Sequence, residues 1–237
     1  MELFIDIGNS RIKYTKNEHS FIVNVVVHDG VDALFAEISH LKSRLSNVQL
    51  LVTAGRSIGA QKALATVLQY AEDNGIACHV VGVDTHMIDI NYIDTEQFGV
   101  DRFLQLLAAK KRYRENFCVV SCGTAITMDF YTNRHIGGMI LPGLGLSKRM
   151  LAEKAGLTVI KKPLAKLGND TASSIGAGIY FGYQNLIYRS IEAIEKERNL
   201  LFQRVFSGGD GAILCQEGEV RPHLLFEGMR AYLTYRH

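Results

Sequence analysis

A single carboxylate stands near the end of the first apolar segment of the chain, directly before a turn. The segment reads "LFIDIGNSRIKYT", in which Asp6 lies in an alternating strand and Gly8 opens a turn to a second strand. A glycine in a tight turn lets backbone N–H groups approach an anion, and a neighbouring carboxylate can hold Mg²⁺ directly or through water. The pattern predicts a site for phosphate and its cation, although an ordinary hairpin has the same letters.

A similar segment, "VVSCGTAITMDF", occurs in the second half of the chain. Because this strand–turn–strand segment is repeated, phosphate binding becomes the favoured interpretation. We expect two similar lobes facing a cleft in which both turns bind a polyphosphate. Aligning the two segments puts Asp6, Gly8 and Asn9 on Ser121, Gly123 and Thr124.

Hydrophobic periodicity predicts an α/β protein whose halves begin alike. In the first half three strands precede helix, strand, helix and strand, and the second half again begins with three strands before it turns helical. A long helix is expected at about residues 171 to 196. Gly208 and Gly209 end a later predicted strand, with Asp210 as the expected N-cap of a helix, which suits close approach of a purine and its ribose.

Composition excludes several classes of function. The formal net charge is +2 and the basic residues are scattered, so the sequence predicts no nucleic-acid partner. No apolar stretch approaches 18 residues and Met1 leads straight into a strand, so we expect no membrane partner and a cytoplasmic location. The four cysteines form no Cys-x-x-Cys pair and the eight histidines no metal-binding spacing, which indicates reduced thiols and no zinc site.

Five short motifs, in order along the whole chain, resemble those of the type III pantothenate kinases. They are "DIGNS" at 6–10, "GVDR" at 99–102, "CGTAITMD" at 122–129, "GGMILPG" at 137–143 and "SGGD" at 207–210. The resemblance implies the superfamily of actin, sugar kinases and the large heat-shock chaperones. It implies one ribonuclease-H-like lobe at 1–115, another at 116–237, and a nucleotide cleft between them.

The same resemblance implies an activity. ATP would phosphorylate the primary hydroxyl of pantothenate to give 4′-phosphopantothenate, the first step towards coenzyme A, in a homodimer whose substrate site lies near the subunit interface. The catalytic base falls on Asp101, and Mg²⁺ falls on Asp6. The nucleotide site falls on Asp6, Ile7, Gly8, Asn9, Ser10, Arg11, Ile12, Lys13 and Thr124, to which we add Gly208 and Gly209. The pantothenate site falls on Tyr92, Gly99, Val100, Asp101, Arg102 and Thr171.

General physical chemistry supports the roles that the resemblance implies for the "GVDR" motif. Gly99 is expected to begin a helix, so Asp101 lies in a first turn whose N–H groups favour an ionised carboxylate. Such a carboxylate can accept a hydroxyl proton as the O–P bond forms, and its positioning should matter more than its base strength because phosphoryl-transfer transition states are loose. Arg102 has the bidentate fork to hold the carboxylate of pantothenate.

One position departs from the family. Ser121 stands where many members have an Asp that resembles a ligand for an activating monovalent cation. Because serine brings one neutral oxygen and no charge, we predict that the K⁺ or NH₄⁺ site expected from the family is not intact.

Two other functions remain open at this point. A nuclease of the same topology would use Asp6, Asp101 and Asp129 as a two-metal cluster, but it would need a basic approach surface that the charge pattern lacks. A regulatory member of the family would bind nucleotide or a partner without turnover. The carboxylates and Arg102 favour catalysis, and Ser121 keeps the regulatory alternative open.

Overall fold

The structure is a computed structural model that describes residues 1–113, 115–156 and 165–236. These residues form two compact units. The first unit comprises Met1–Met87, Tyr92–Ala108 and Leu225–His237, and the second comprises Ile88–Asn91 and Ala109–Leu224. In the described parts of the chain, no helix is both long and apolar enough to cross a membrane.

The first unit contains a five-stranded sheet of order β3-β2-β1-β4-β5. β1 pairs antiparallel with β2 and parallel with β4, β2 pairs antiparallel with β3, and β4 pairs parallel with β5. The strands are β1 (Glu2–Ile7), β2 (Ile12–Lys16), β3 (Asn24–Val26), β4 (Gln49–Ala54) and β5 (Ala77–Val80), and the helices are α1 (Asp32–Arg44), α2 (Ile58–Asp73) and α3 (Val100–Arg112).

Helical spacing of apolar residues places one face of α1 and one face of α2 in the core. Leu34 and Ile38 of α1 and Val67 of α2 are fully buried with the apolar side chains of β1. Ser57 caps α2, since its side chain accepts a hydrogen bond from the Ala60 N–H at 3.2 Å. Gly75, at φ +61°, follows the end of this helix.

The second unit repeats this sheet. Its order is β10-β9-β6-β7-β8, with β6–β7 and β7–β8 antiparallel and β6–β9 and β9–β10 parallel. The elements are β6 (Phe117–Cys122), β7 (Ala125–Tyr131), β8 (His135–Pro142), α4 (Leu144–Lys154), α5 (Thr171–Arg198), β9 (Gln203–Ser207), α6 (Gly211–Leu214), β10 (Glu219–Val220) and α7 (Leu224–Arg236). The predicted α/β class with two similar sheets is thereby confirmed.

Two features differ from the sequence-based expectation. The third of the strands expected in the first half is only three residues long, Asn24–Val26, and Ile22 just before it and Val25 within it are exposed instead of buried. The division after residue 115 assigned the whole C-terminal part to a second lobe, yet α7 from residue 225 onward belongs to the first unit. The reason is close helix packing: a Cβ on Gly228 would overlap the Leu104 carbonyl of α3.

Candidate active site

Asp6 lies near the end of β1 with only 6% of its surface exposed. Its neighbours across the sheet are Lys13 in β2 and Thr53 in β4. Lys13 Nζ lies 3.7 Å from Asp6 Oδ2. Burial raises the pKa of Asp6 from 3.8 to about 6; the Lys13 ammonium opposes this shift and the negative charge of Asp101 adds to it. Lys13 thus offsets the negative charge of Asp6 only in part, which suits a site for a cation.

The hydroxyl of Thr53 completes the polar surroundings of Asp6. It is buried and makes no hydrogen bond within the described residues. Leaving a buried hydroxyl without a hydrogen bond costs about 1 to 3 kcal/mol. A water bound to a metal ion beside Asp6 would give the Thr53 hydroxyl the partner that it lacks. Mg²⁺ is bound through carboxylate oxygens and usually keeps several waters, which a neighbouring hydroxyl can hold by hydrogen bonds. Thr53 was not predicted as a site residue; its signal in the sequence is one polar residue in the apolar run "LLVTA".

Metal binding at Asp6 would depend on ligands from outside the protein. Within the described ranges, no three His, Cys, Asp or Glu side chains are grouped closely enough to hold a metal ion. Mg²⁺ usually keeps several waters and is bound through one or two carboxylates with substrate phosphates. The donor set around Asp6 therefore fits a magnesium ion that arrives with a nucleotide.

The turn after β1 is held at its base by three contacts. Gly8 N donates to Arg11 O at 2.9 Å, and His28 Nε2 lies 2.8 Å from Gly8 O. Asn9 Oδ1 accepts from the Ser57 N–H at 3.2 Å, so this oxygen holds the connection from β4 to α2. The family resemblance assigned Asn9 to the nucleotide site, and no motif pointed to His28. Nothing in the local spacing links His28 to the turn.

The "GVDR" motif forms the start of α3, as predicted. Gly99 O accepts from the Phe103 N–H at 3.0 Å, which makes Gly99 the N-cap. Asp101 is exposed in the first helical turn, where the helix dipole favours negative charge. A Cβ on Gly99 would lie 2.5 Å from Asp101 Oδ1, so the absence of a side chain at Gly99 gives the carboxylate its place.

Tyr92 and Arg102, both predicted to bind pantothenate, are in direct contact. Arg102 Nη1 donates to Tyr92 Oη at 2.8 Å, and only 5% of Arg102 is exposed. The guanidinium carbon lies 4.4 Å from the Phe98 ring centroid, and the Tyr92 and Phe98 rings meet edge to face at 5.0 Å. The expected bidentate fork therefore lies against two aromatic rings, and Tyr92 is held by it.

Three glycine motifs of the second unit meet around the turn after β6. Gly143 N donates to Thr124 O at 2.9 Å. A Cβ on Gly143 would overlap the Gly123 carbonyl, and one on Gly208 would overlap the Cys122 carbonyl. Gly208 also has φ +81°, which glycine adopts without strain. The "CGT", "LPG" and "SGG" segments are thus packed backbone to backbone, and this packing requires glycine at 143 and 208.

Ser121 lies in a row of uncharged hydroxyl side chains that crosses the second sheet. Its neighbours across β7 and β9 are Thr127 and Ser207. Asp129 lies two residues along β7, but it is buried and its Oδ1 is 3.0 Å from Nε2 of buried His135. Asp129 is therefore hydrogen-bonded to a buried histidine, which removes it from the metal cluster that the nuclease alternative needs.

Two further predicted residues lie at helix starts in the second unit. Thr171 is the first residue of α5, which Asp170 caps by accepting from Ser173 N at 2.7 Å. Asp210 has the N-cap position of α6, as expected, but its side chain makes no capping bond. Burial raises the pKa of Asp210, and the positive charge of Lys148 opposes that shift.

Comparison with known proteins supports the resemblance read from the motifs. A family model described as type III pantothenate kinase matches residues 2–193. The type III pantothenate kinase of Dichelobacter nodosus is 32% identical over 99% of this chain and 98% of its own length. That of Teredinibacter turnerae is 31% identical over 97% of each chain.

Solved structures show the same fold at lower identity. A protein of Campylobacter jejuni described as a Baf family transcriptional activator superposes with a TM-score of 0.63 at 20% identity, covering 99% of this chain and 98% of that one. MreB5 of Spiroplasma citri bound to ADP gives a TM-score of 0.52 at 10% identity, covering 99% and 96%. These neighbours show the actin-like fold expected for two ribonuclease-H-like sheets.

Proposed function

The chain belongs to the type III pantothenate kinase family, which phosphorylates pantothenate on the route to coenzyme A, and we propose that it does so with ATP and Mg²⁺ through Asp101. One observation carries the proposal: two carboxylates of the first unit have opposite surroundings. Asp6 is buried with a raised pKa, whereas Asp101 is exposed at a helix N-terminus. Environments that separate two carboxylates in this way assign them different roles.

Asp101 would act on the hydroxyl of pantothenate. A bond forms between that oxygen and the γ-phosphorus of ATP while the bond from phosphorus to the bridging oxygen of ADP breaks, and the hydroxyl proton passes to Asp101. Arg102 and Tyr92 would bind the far end of the substrate, with Gly99 and Val100 lining it; the family resemblance also assigns Thr171 to pantothenate. Their contact at 2.8 Å fixes both side chains before substrate arrives.

The family resemblance assigns both strand turns to the nucleotide. Residues 6–13 and Thr124 would contact the phosphates, and Gly208-Gly209 would lie against the purine and ribose. Asp6, with the Thr53 hydroxyl beside it, would hold Mg²⁺ directly or through water. When bound, the ion supplies positive charge that neutralises phosphate oxygens. Lys13 in β2, whose Nζ lies 3.7 Å from Asp6 Oδ2, would add a further positive charge beside this ion.

Several finer features extend the proposal. The exposed apolar side chains Leu146, Met150 and Leu151 on α4 and Leu186 on α5 support a homodimer formed through these helices. The neutral row around Ser121 supports turnover without K⁺ or NH₄⁺. A cytoplasmic location, and the absence of nucleic-acid and membrane partners, stay predictions from the sequence.

The experiment is ADP release from ATP and Mg²⁺, with and without pantothenate, in matched K⁺ and Na⁺ buffers. We expect release that depends on pantothenate and is equal in the two buffers. Release only in K⁺ would contradict the cation proposal but leave the kinase intact. No release in either buffer, from protein that still binds pantothenate, would favour the regulatory alternative.

A further inference from the structure

We propose that His28 is a positioning residue for the nucleotide, because its imidazole fixes the Gly8 turn that binds the phosphates. The inference rests on the proposed function, since it takes the turn after β1 as a phosphate-binding element. His28 lies outside all five motifs and precedes α1 by four residues. Its role is therefore separate from the residues that the resemblance implies.

The contact between His28 and the turn has a defined direction. His28 Nε2 lies 2.8 Å from Gly8 O, and a carbonyl oxygen can only accept a hydrogen bond, so Nε2 carries the proton. On the other side, Gly8 N donates to Arg11 O at 2.9 Å. The N–H and the carbonyl oxygen of Gly8 are thus both hydrogen-bonded within the first unit. A turn held in this way needs less ordering when an anion binds, which favours affinity.

The first turn of α2 is shaped to accept the imidazole. A Cβ on Gly59 would lie 2.8 Å from His28 Nδ1 and 3.4 Å from its Cε1. The backbone at Gly59 is ordinary helix, where glycine is less favourable than alanine. Alanine at position 59 would suit the helix better but would crowd the imidazole. The glycine at this position therefore leaves space for His28.

The equivalent turn of the second unit is held differently. There, Gly143 N donates to Thr124 O at 2.9 Å and Asp210 N donates to Cys122 O at 3.2 Å. Both donors belong to the backbone and cannot be removed by changing a side chain. The first turn instead relies on a side chain for the bond to Gly8 O, so a substitution of His28 can loosen one phosphate turn and leave the other intact.

The test compares His28→Ala with His28→Gln and with His40→Ala. Gln places an N–H at a reach similar to Nε2, and His40 is an exposed histidine on α1. We expect His28→Ala to raise the ATP KM and the ADP Kd about 3- to 10-fold, the range of one lost hydrogen bond. The pantothenate KM and kcat at saturating ATP should stay within about twofold, Gln should restore most of the affinity, and His40→Ala should change nothing.

A double-mutant cycle with Gly59→Ala separates positioning from general stability. Alanine at 59 should weaken ADP binding by crowding the ring, yet have little further effect in the His28→Ala background, where the ring is absent. Equal effects of Gly59→Ala in both backgrounds would overturn the inference. So would His28→Ala protein that binds ADP as tightly as the parent. A parent protein that binds neither ADP nor ATP would instead overturn the proposed function, and the inference with it.

Discussion

Asp6 and Ser121 occupy the same position in the two sheets. Each is the fifth residue of a six-residue first strand, and each is followed after one residue by a glycine that begins the turn. The cross-strand neighbours also correspond, since they are Lys13 and Thr53 in one sheet and Thr127 and Ser207 in the other. The repeat has kept a carboxylate in the first sheet and a neutral hydroxyl in the second.

Ser121→Asp should therefore create a dependence on monovalent cations. The new carboxylate would join a row of hydroxyl oxygens, which together form a hard-oxygen site. Turnover would be measured in K⁺, NH₄⁺ and Na⁺ at equal ionic strength for the parent and the variant. A variant that responds to K⁺ no more than the parent does would contradict the role given to this position.

Asp6→Asn should stabilise the protein above pH 6 in the absence of divalent cations. Because folding raises the pKa of Asp6 from 3.8 to about 6, the folded chain gains stability from this group at low pH and loses it as pH rises through 6. The difference in the free energy of unfolding should grow between pH 4 and 6 and level off at up to about 3 kcal/mol. Urea titrations at several pH values measure it; a difference independent of pH would refute the assignment. The same variant should bind Mg²⁺–ADP more weakly.

Thr53→Val should separate metal binding from stability. Removing an unsatisfied buried hydroxyl should raise the free energy of unfolding by about 1 kcal/mol. It should also raise the Mn²⁺ concentration needed for binding in the presence of ADP, as measured by electron paramagnetic resonance. Thr127→Val is the matched control, because its hydroxyl is likewise buried without a partner in the described structure but lies opposite Ser121. The control should gain stability with no change in Mn²⁺ binding.

Asp101→Asn should lower kcat by orders of magnitude while ADP binding stays nearly unchanged. The side chain is exposed, so the loss of its charge at the helix N-terminus should lower the free energy of unfolding by at most about 1 kcal/mol. Single-turnover kinetics with bound ATP would measure the chemical step directly. Asp73→Asn, at the exposed end of α2, serves as the control. Unchanged turnover in Asp101→Asn would remove this residue from the mechanism.

Tyr92→Phe should raise the KM for pantothenate about 3- to 10-fold with the ATP KM unchanged. The variant keeps the ring packed edge to face on Phe98 and removes only the hydroxyl that Arg102 contacts at 2.8 Å. Steady-state kinetics with each substrate varied in turn would test this. Equal changes in both KM values would mean that the contact serves general stability and not the substrate.

Much of the fold and part of the site followed from local patterns. Alternation and helical spacing predicted the strand and helix order of both units, and the alignment of Asp6 on Ser121 is confirmed by the registers of the two sheets. The family resemblance is confirmed by the match over residues 2–193. These features are readable because periodicity and turn residues act over only a few positions of the chain.

Other features depended on packing between distant segments. The raised pKa of Asp6 arises from burial by neighbouring strands, and His28 reaches Gly8 across twenty residues. From the sequence, the guanidinium of Arg102 was expected to bind a carboxylate, but the fold also packs it against the Phe98 ring. The sequence by itself therefore determined the repeated sheet and the chemical groups available, whereas the tertiary structure decided their burial, charge state and partners, since desolvation and long-range contacts exist only once the chain has packed.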